Sequence, residues 1–296
     1  MLVCFDIGGS RIKAARARDG GAVEPLGDAP TPLDDFSEFV GVLAGFLLAR
    51  SARGVAISIA GVVDPANGRL KVANIPCLDG RAVAAELSAA LGLPVWVFND
   101  ADCFALAAAV QGAGRGHRNV FGIILGTGVG GGLVIDGRIV TGAGGYAGEW
   151  GHGPVLNAAQ VPWFACGCGL SGCVDTVGGA RGIERLHRHL HGAEAGSVEV
   201  LARWQAADAA AARTVALWLD LVSGPLAMVL NVVGSSVVPV GGGLANVPAL
   251  IAALDGAVRG RVLRRADAAL LVPAALSVEP GLVGAALAGF GEIARG

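Results

Sequence analysis

The chain has 296 residues, room for about two domains at the usual ~150 each, and 53% of them are hydrophobic against 16% charged, which excludes disorder. Lys and Arg number 22 against 24 Asp and Glu, so a net charge of −2 leaves no basic surplus to track nucleic-acid phosphates. Glycine, at 48 residues, runs well above the usual ~7%, yet without the G-X-Y period of collagen. A mean hydropathy of +0.61 raises the question of a membrane. The longest uncharged run, Leu221 to Leu254, is interrupted by Gly224-Pro225, Asn231, Gly234-Ser235-Ser236, Pro239 and Gly241-Gly242-Gly243, so no unbroken span of ~20 apolar residues is expected. No basic segment precedes the apolar start, so no secretory leader is expected either. The expectation is a cytoplasmic protein with neither membrane nor nucleic-acid partner, whose six cysteines are not a disulfide framework.

In chain order, Leu2–Phe5 reads as a strand, followed by the turn Asp6-Ile7-Gly8-Gly9-Ser10 and a second strand from Arg11 to Ala17. Asp34–Arg50 reads as a helix, Gly54–Ile59 as a buried strand, Arg81–Leu91 as a helix stopped at Gly92, and Pro94–Phe98 as a strand. Asn99-Asp100 is a loop and Ala101–Gln111 a helix. Gly112 to Gly116 is the best candidate for a hinge between lobes. The opening pattern then recurs: a β-rich run Val120–Leu125, the turn Gly126–Gly132, and Leu133–Ile135 with a further turn at Asp136-Gly137. Two such units half a chain apart suggest a duplicated architecture. Later helices are expected at about 181–191, 198–207, 208–230, 247–259 and 280–294, with a strand at Ser236–Val240. The corresponding division is 1–114 as one lobe, joined by the closing helix 280–296, and 115–279 as the other.

Three glycine turns follow apolar strands: Asp6–Ser10, Gly126–Gly132 and Gly241–Gly243. Without a Cβ in the way, backbone N–H groups can approach phosphate oxygens. One such turn alone can be an ordinary hairpin; three in one α/β chain favour a nucleotide. Gly126, Gly128 and Gly131 satisfy G-x-G-x-x-G, but a strand follows instead of the helix that a dinucleotide fold requires. There is no G-x-x-x-x-G-K-[ST], and Lys13 and Lys71 are the only lysines. Asp100, at the end of a short strand, is placed to take a proton from a hydroxyl, although an Asp there also serves as an N-cap. Asp6 is open between an Mg²⁺-associated carboxylate and a turn acid.

The sharpest pattern is Cys166-Gly-Cys168-Gly-Leu-Ser-Gly-Cys173 with His152 upstream in Gly148-Glu149-Trp150-Gly151-His152. Three thiolates and an imidazole make a closed structural zinc site, spanning 152–173. Cys4, Cys77 and Cys103 are expected in the core. His187, His189 and His191 are expected on a solvated helix end, with no acid to complete a metal site.

Taken together, Asp6–Lys13, Asn99–Leu106, Leu125–Gly132, Gly148–His152, Cys166–Cys173 and Val240–Leu244 resemble the ROK family of sugar kinases and repressors over nearly the whole chain. Within the family, Val72–Pro76, Asn99–Leu106 and Ile124–Leu133 look most like the bacterial N-acetyl-D-glucosamine kinases. The resemblance implies an α/β actin-like (ribonuclease H-like) fold of two lobes, with ATP in the cleft between them. It implies Asp100 as the base that activates a sugar hydroxyl, and Asp6, Gly8, Gly9 and Ser10 around phosphate and Mg²⁺. Gly126, Thr127 and Gly128 would cradle the nucleotide phosphates, with Gly242 and Gly243 against the nucleoside. Gly61, Asn74, Asn99, Asp100, Glu149, His152 and Asp175 would line the sugar pocket, while His152, Cys166, Cys168 and Cys173 hold zinc. The function implied is ATP-dependent phosphorylation of a hexose or N-acetylhexosamine, foremost N-acetyl-D-glucosamine to its 6-phosphate. N-acetylmannosamine kinase, glucokinase and a non-catalytic sugar-responsive regulator are the alternatives. A homodimer is expected. Ser10 stands where threonine is commoner, and Asp175 where the family usually has glutamate, a carboxylate shortened by one methylene.

Overall fold

In the computed structural model, which describes residues 1–18, 20–47, 52–265, 267–276 and 279–295, the apolar run at the start forms β1 (Leu2–Ile7). It is followed by β2 (Arg11–Ala17), β3 (Val23–Pro30), α1 (Phe36–Leu47), β4 (Val55–Ile59), the two-residue strands β5 (Val62–Val63) and β6 (Leu70–Lys71), α2 (Val83–Leu91), β7 (Val95–Asn99) and α3 (Asp100–Val110). Then come β8 (Asn119–Leu125), β9 (Val129–Ile135), β10 (Arg138–Ile139), α4 (Asp175–Gly178), α5 (Ala180–His191), α6 (Ser197–Gln205), α7 (Ala209–Val233), β11 (Val238–Gly241), α8 (Pro248–Arg259), β12 (Leu271–Pro273) and α9 (Pro280–Ile293). The helix expected over 34–50 is present as α1, entered through Asp35, whose Oδ1 accepts from the Ser37 and Glu38 amides. Its expected last three residues, 48–50, lie outside the described residues.

The two five-stranded sheets have the same plan, β3-β2-β1-β4-β7 and β10-β9-β8-β11-β12. In the first, β2 is antiparallel to β1 and to β3, whereas β4 and β7 run parallel to β1. In the second, β10 is antiparallel to β9, and β11 is parallel to both β8 and β12. The duplication read from the two hairpins is therefore a property of whole sheets.

By density of contacts the chain divides into two units: Met1–Gly112, Gly132–Ala147 and Leu276–Gly296, and Ala113–Gly131 with Gly148–Ala275. The segment Gly132–Ala147, assigned from sequence to the second lobe, is grouped with the first. In the first unit, Phe5, Ile57, Phe39, Leu43, Val83 and Leu87 share one fully buried cluster between the sheet and helices α1 and α2. On the other sheet face Leu2, Cys4 and Ala56 meet Cys103 of α3 and Leu282, Ala285 and Ala286 of α9. Truncating a buried ring such as Phe5 or Phe39 to alanine costs about 3–5 kcal/mol at such sites.

Two expectations change in the second unit. Gly224-Pro225 does not break the apolar run: α7 continues through Pro225 for 25 residues, from its cap at Asp208 to Gly234. By length and composition α7 is the one helix among the described residues long and apolar enough to cross a membrane. Its Trp218, Leu221, Val222, Leu226 and Leu230 are buried, the pattern of a core helix. His187 is not solvated. It is 1% exposed, its Nδ1 shares a 2.9 Å hydrogen bond with Thr214 Oγ1, and the same hydroxyl lies 3.3 Å from His191 Nε2. The sequence marked the face but not the threonine of α7 that covers it.

Candidate active site

The first unit gathers its candidate residues along one edge of a sheet. The parallel register sets Ile7 beside Ile59 and Ile59 beside Asn99, so the segments that follow β1, β4 and β7 all leave from the same strand-end edge, where open α/β sheets place ligands. These segments carry Gly8, Gly9 and Ser10, then Gly61, then Asp100. The first turn is closed by the Gly8 amide on the Arg11 carbonyl (3.0 Å) and by Thr31, whose hydroxyl donates to the Gly8 carbonyl at 2.7 Å. Gly9 lies against the Asn74 side chain, with Nδ2 3.0 Å from where a Cβ would stand.

Asn99 and Asp100 divide the helix start between them. Asn99 is the N-cap of α3: its Oδ1 accepts from the Ala101 and Asp102 amides at 2.8 and 3.1 Å, and its Nδ2 donates to the Gly61 carbonyl at 3.0 Å. Asp100 is the first residue inside the helix, its Oδ1 2.9 Å from the Ala101 amide. The capping role open to an Asp at 100 belongs to its neighbour.

Asp6 sits at the end of β1, accepting from Ser58 Oγ at 2.8 Å. Burial pushes its carboxyl above the usual range, with Ser58 and Lys13 pulling it back and Glu279 adding to the rise. Gly281, in the first turn of α9, lies so close to the Asp6 carboxylate that any side chain there would collide with it. A divalent cation would favour the ionised carboxylate against that rise, so Asp6 fits an Mg²⁺-associated role.

In the second unit the register of Ile124 with Gly241 brings the Gly126 turn and the Gly242 turn to one sheet edge. Gly242 has φ +84, and a Cβ there would strike the Leu125 carbonyl, so only glycine fits. The Gly126 turn is braced by the start of α5, where the Ala180 amide donates to the Gly126 carbonyl at 2.8 Å. Asp175 approaches from the other side: its Oδ1 accepts from the Val129 amide at 2.7 Å and occupies the space a Cβ on Gly128 would need. Its own amide donates to the Gly151 carbonyl at 2.9 Å.

His152, Cys166, Cys168 and Cys173 converge, with their four donor atoms all within 4.8 Å of one another. A tetrahedral zinc with bonds of ~2.3 Å to sulfur and ~2.0 Å to nitrogen sets donors roughly 3.5–3.8 Å apart. The Cys168 and Cys173 sulfurs are 3.7 Å apart, and Cys166 Sγ lies 3.6 Å from His152 Nδ1. The donor set and its spacing fit zinc. Burial pushes the Cys166 thiol up to about 12, so a dication would supply the charge that favours its thiolate. Nδ1 of His152 faces the sulfurs, while Nε2 lies 3.5 Å from Glu149 Oε2. Burial raises the Glu149 carboxyl, His152 lowers it and Asp175 raises it further.

A family model described as the ROK family matches residues 2–288. The chain belongs to the ROK family. It is 36% identical to the N-acetylgalactosamine kinase of Shewanella sp. (strain ANA-3), over 98% of this chain and 97% of that one. It is 32% identical to the N-acetyl-D-glucosamine kinase of Pasteurella multocida (strain Pm70), over 95% and 97%. The ROK hexokinase of Thermus thermophilus superposes with a TM-score of 0.88 at 30% identity, covering 100% of this chain and 99% of that one. The α/β, two-lobed actin-like fold is thus the fold of this ROK chain.

Two supporting residues had no signal in the sequence, Ser58 on Asp6 and Gly281 against it, and Trp150, inside the Gly148–His152 motif, gave none of its bond from Nε1 to the Gly130 carbonyl at 3.0 Å. Each acts on a partner far away in the chain, and no local spacing reports such a pairing.

Proposed function

We propose that this ROK chain transfers the γ-phosphoryl group of ATP to a hydroxyl of an N-acetylhexosamine, foremost the 6-hydroxyl of N-acetyl-D-glucosamine. The observation that carries the reading is the helix start at Asn99-Asp100: Asn99 supplies the cap, and Asp100 stands at the strand-end edge beside the Gly8–Ser10 turn and Gly61. Asp100 takes the proton from the attacking hydroxyl. Asn99, Gly61 and Asn74 contact the sugar, and the family resemblance assigns Glu149, His152 and Asp175 to the same task. The amides of Gly8, Gly9, Ser10, Gly126, Thr127 and Gly128 donate to phosphate oxygens, which stabilises charge as it builds. Mg²⁺, held at Asp6, neutralises phosphate charge when bound. His152 would hold zinc through Nδ1, which would fix the ring and leave Nε2, beside Glu149, to face the sugar. The reading includes a cytoplasmic homodimer with a structural zinc in each chain.

A second reading concerns the sugar alone. Asp175 replaces the usual glutamate, and the relative 36% identical to this chain is named for N-acetylgalactosamine. ADP release with MgATP across N-acetylglucosamine, N-acetylgalactosamine, N-acetylmannosamine, glucose, mannose, fructose and allose decides. The highest kcat/KM on N-acetylglucosamine is expected. Preference for N-acetylgalactosamine would replace the first reading by the second, and no turnover on any sugar by folded, zinc-loaded protein would overturn both.

A further inference from the structure

The second unit carries a cavity of about 580 Å³ away from the glycine turns, with Ala113, His117, Ser236, Arg264, Arg265 and Asp267 in its wall. His117 and Ser236 precede β8 and β11, and Leu270, also in the wall, precedes β12. These three strands are parallel, so the cavity opens at their starts, the sheet edge opposite Gly126 and Gly242.

Its wall carries more positive than negative charge. Arg259 and Arg261, nearby in sequence, each meet a carboxylate, from Asp255 and Asp220 respectively. Among the described residues Arg264 and Arg265 have no ion pair or hydrogen bond of their own. Asp267 is the single carboxylate in the wall, so two guanidinium groups outnumber it. His117 is fixed beside them by a 2.8 Å hydrogen bond between Nδ1 and Ser236 Oγ. A concave site of this size lies within the ~300–1,000 Å³ of small-molecule pockets, and unpaired guanidinium forks match the oxygens of a phosphate group.

We propose that this cavity binds a small phosphate monoester, at a site separate from the glycine turns. The two arginines take the phosphoryl oxygens, and the apolar remainder of the wall (Val237, Ala268, Ala269, Val272) packs the body of the molecule. The location gives such binding a consequence. Two of the four places where the chain passes from one unit to the other, Gly112/Ala113 and Ala275/Leu276, adjoin this region, and the Ala113 amide donates to the Ala274 carbonyl at 3.0 Å. Ala275 is held at φ 54, a left-handed conformation uncommon outside glycine. A ligand against Ala113 therefore bears on these two crossings.

The test is calorimetric titration of glucose 6-phosphate, inorganic phosphate and glucose. The protein is first saturated with its sugar and a non-hydrolysable ATP analogue, which fill the glycine turns. Wild type is compared with the double variant Arg264→Ala/Arg265→Ala, a comparison that reads this cavity whatever the glycine turns bind. Wild type is expected to bind one equivalent of glucose 6-phosphate that the double variant lacks. Each single variant should bind on the order of tenfold more weakly, the size of a lost charged hydrogen bond. Arg264→Lys/Arg265→Lys should restore part of the affinity, and turnover of all variants should match wild type. Identical isotherms for wild type and the double alanine variant would overturn the proposal, as would glucose binding equal to its phosphate. Inorganic phosphate binding as tightly as the monoester would overturn it too, leaving an adventitious ion only.

Discussion

Asn99 and Asp100 differ by one position: the first caps α3, and the second is the base we propose. From the sequence alone an Asp opening a helix is as good a cap as a base, because both need a short carboxylate at a strand-to-helix junction. Only the bonds of Asn99 Oδ1 to the Ala101 and Asp102 amides separate the two. Asp175 was legible as a departure from the family pattern, but not its bond to the Val129 amide (2.7 Å), since that partner is 46 residues back. Asp175→Ala leaves this amide without its acceptor and should cost about 1–3 kcal/mol, with a raised KM for sugar. Asp175→Asn keeps an acceptor oxygen and should recover most of the stability without the KM. Equal melting of all three proteins would remove the structural role of Asp175; an unchanged KM in both variants would remove its contact with sugar.

Strong periodicity and clear caps made most elements legible: α2 ends where Gly92 turns left-handed, and β7, α3 and α8 lie within a residue or two of their expected bounds. What the sequence missed is instructive. β3 alternates poorly, contains Pro25 and Gly27, and is a strand because β2 supplies its partner, with a bulge at Ala14/Ala15. β12 has three residues and is held by Asp255, whose Oδ1 accepts from the Leu270 and Leu271 amides at 2.8 and 3.0 Å. In α7 the core contacts outweigh the missing amide of Pro225, so the helix runs on through it, as the expected helix over 208–230 requires. Its start depends on Asp208, which accepts from the Ala211 amide and faces Arg203, bonds that hold the carboxyl below its usual range. A carboxyl lowered in the folded state contributes stability above its unfolded value, and that contribution is lost as pH falls through the folded one. Asp208→Ala should therefore melt below wild type at pH 7, with the gap closing in strong acid. A gap of constant size across the titration would contradict the assignment.

At the scale of the molecule, one sheet plan used twice was visible as two hairpins with glycine turns, because β1–β2 and β8–β9 are local. The parallel additions of β4 and β7, and of β11 and β12, join distant segments and left only their apolar runs as a trace. The stretch from Gly148 to Val174 contains no regular helix and little sheet, yet it positions Glu149, His152 and Asp175. A zinc held by His152, Cys166, Cys168 and Cys173, whose donor atoms converge here, would order so irregular a segment. Metal analysis of protein purified without chelator should give one zinc per chain. Its removal should lower the melting temperature and weaken sugar binding more than ATP binding. Protein that is free of zinc, or indifferent to its loss, would refute the site.

The most direct test of the account is the turnover of Asp100→Asn, with sugar affinity measured on the same protein by calorimetry. The account predicts that kcat falls by roughly 10²–10⁴, the usual worth of a general base, while sugar affinity stays within a few fold of wild type. Turnover retained near the wild-type rate would take the proton from some other group and contradict the central claim.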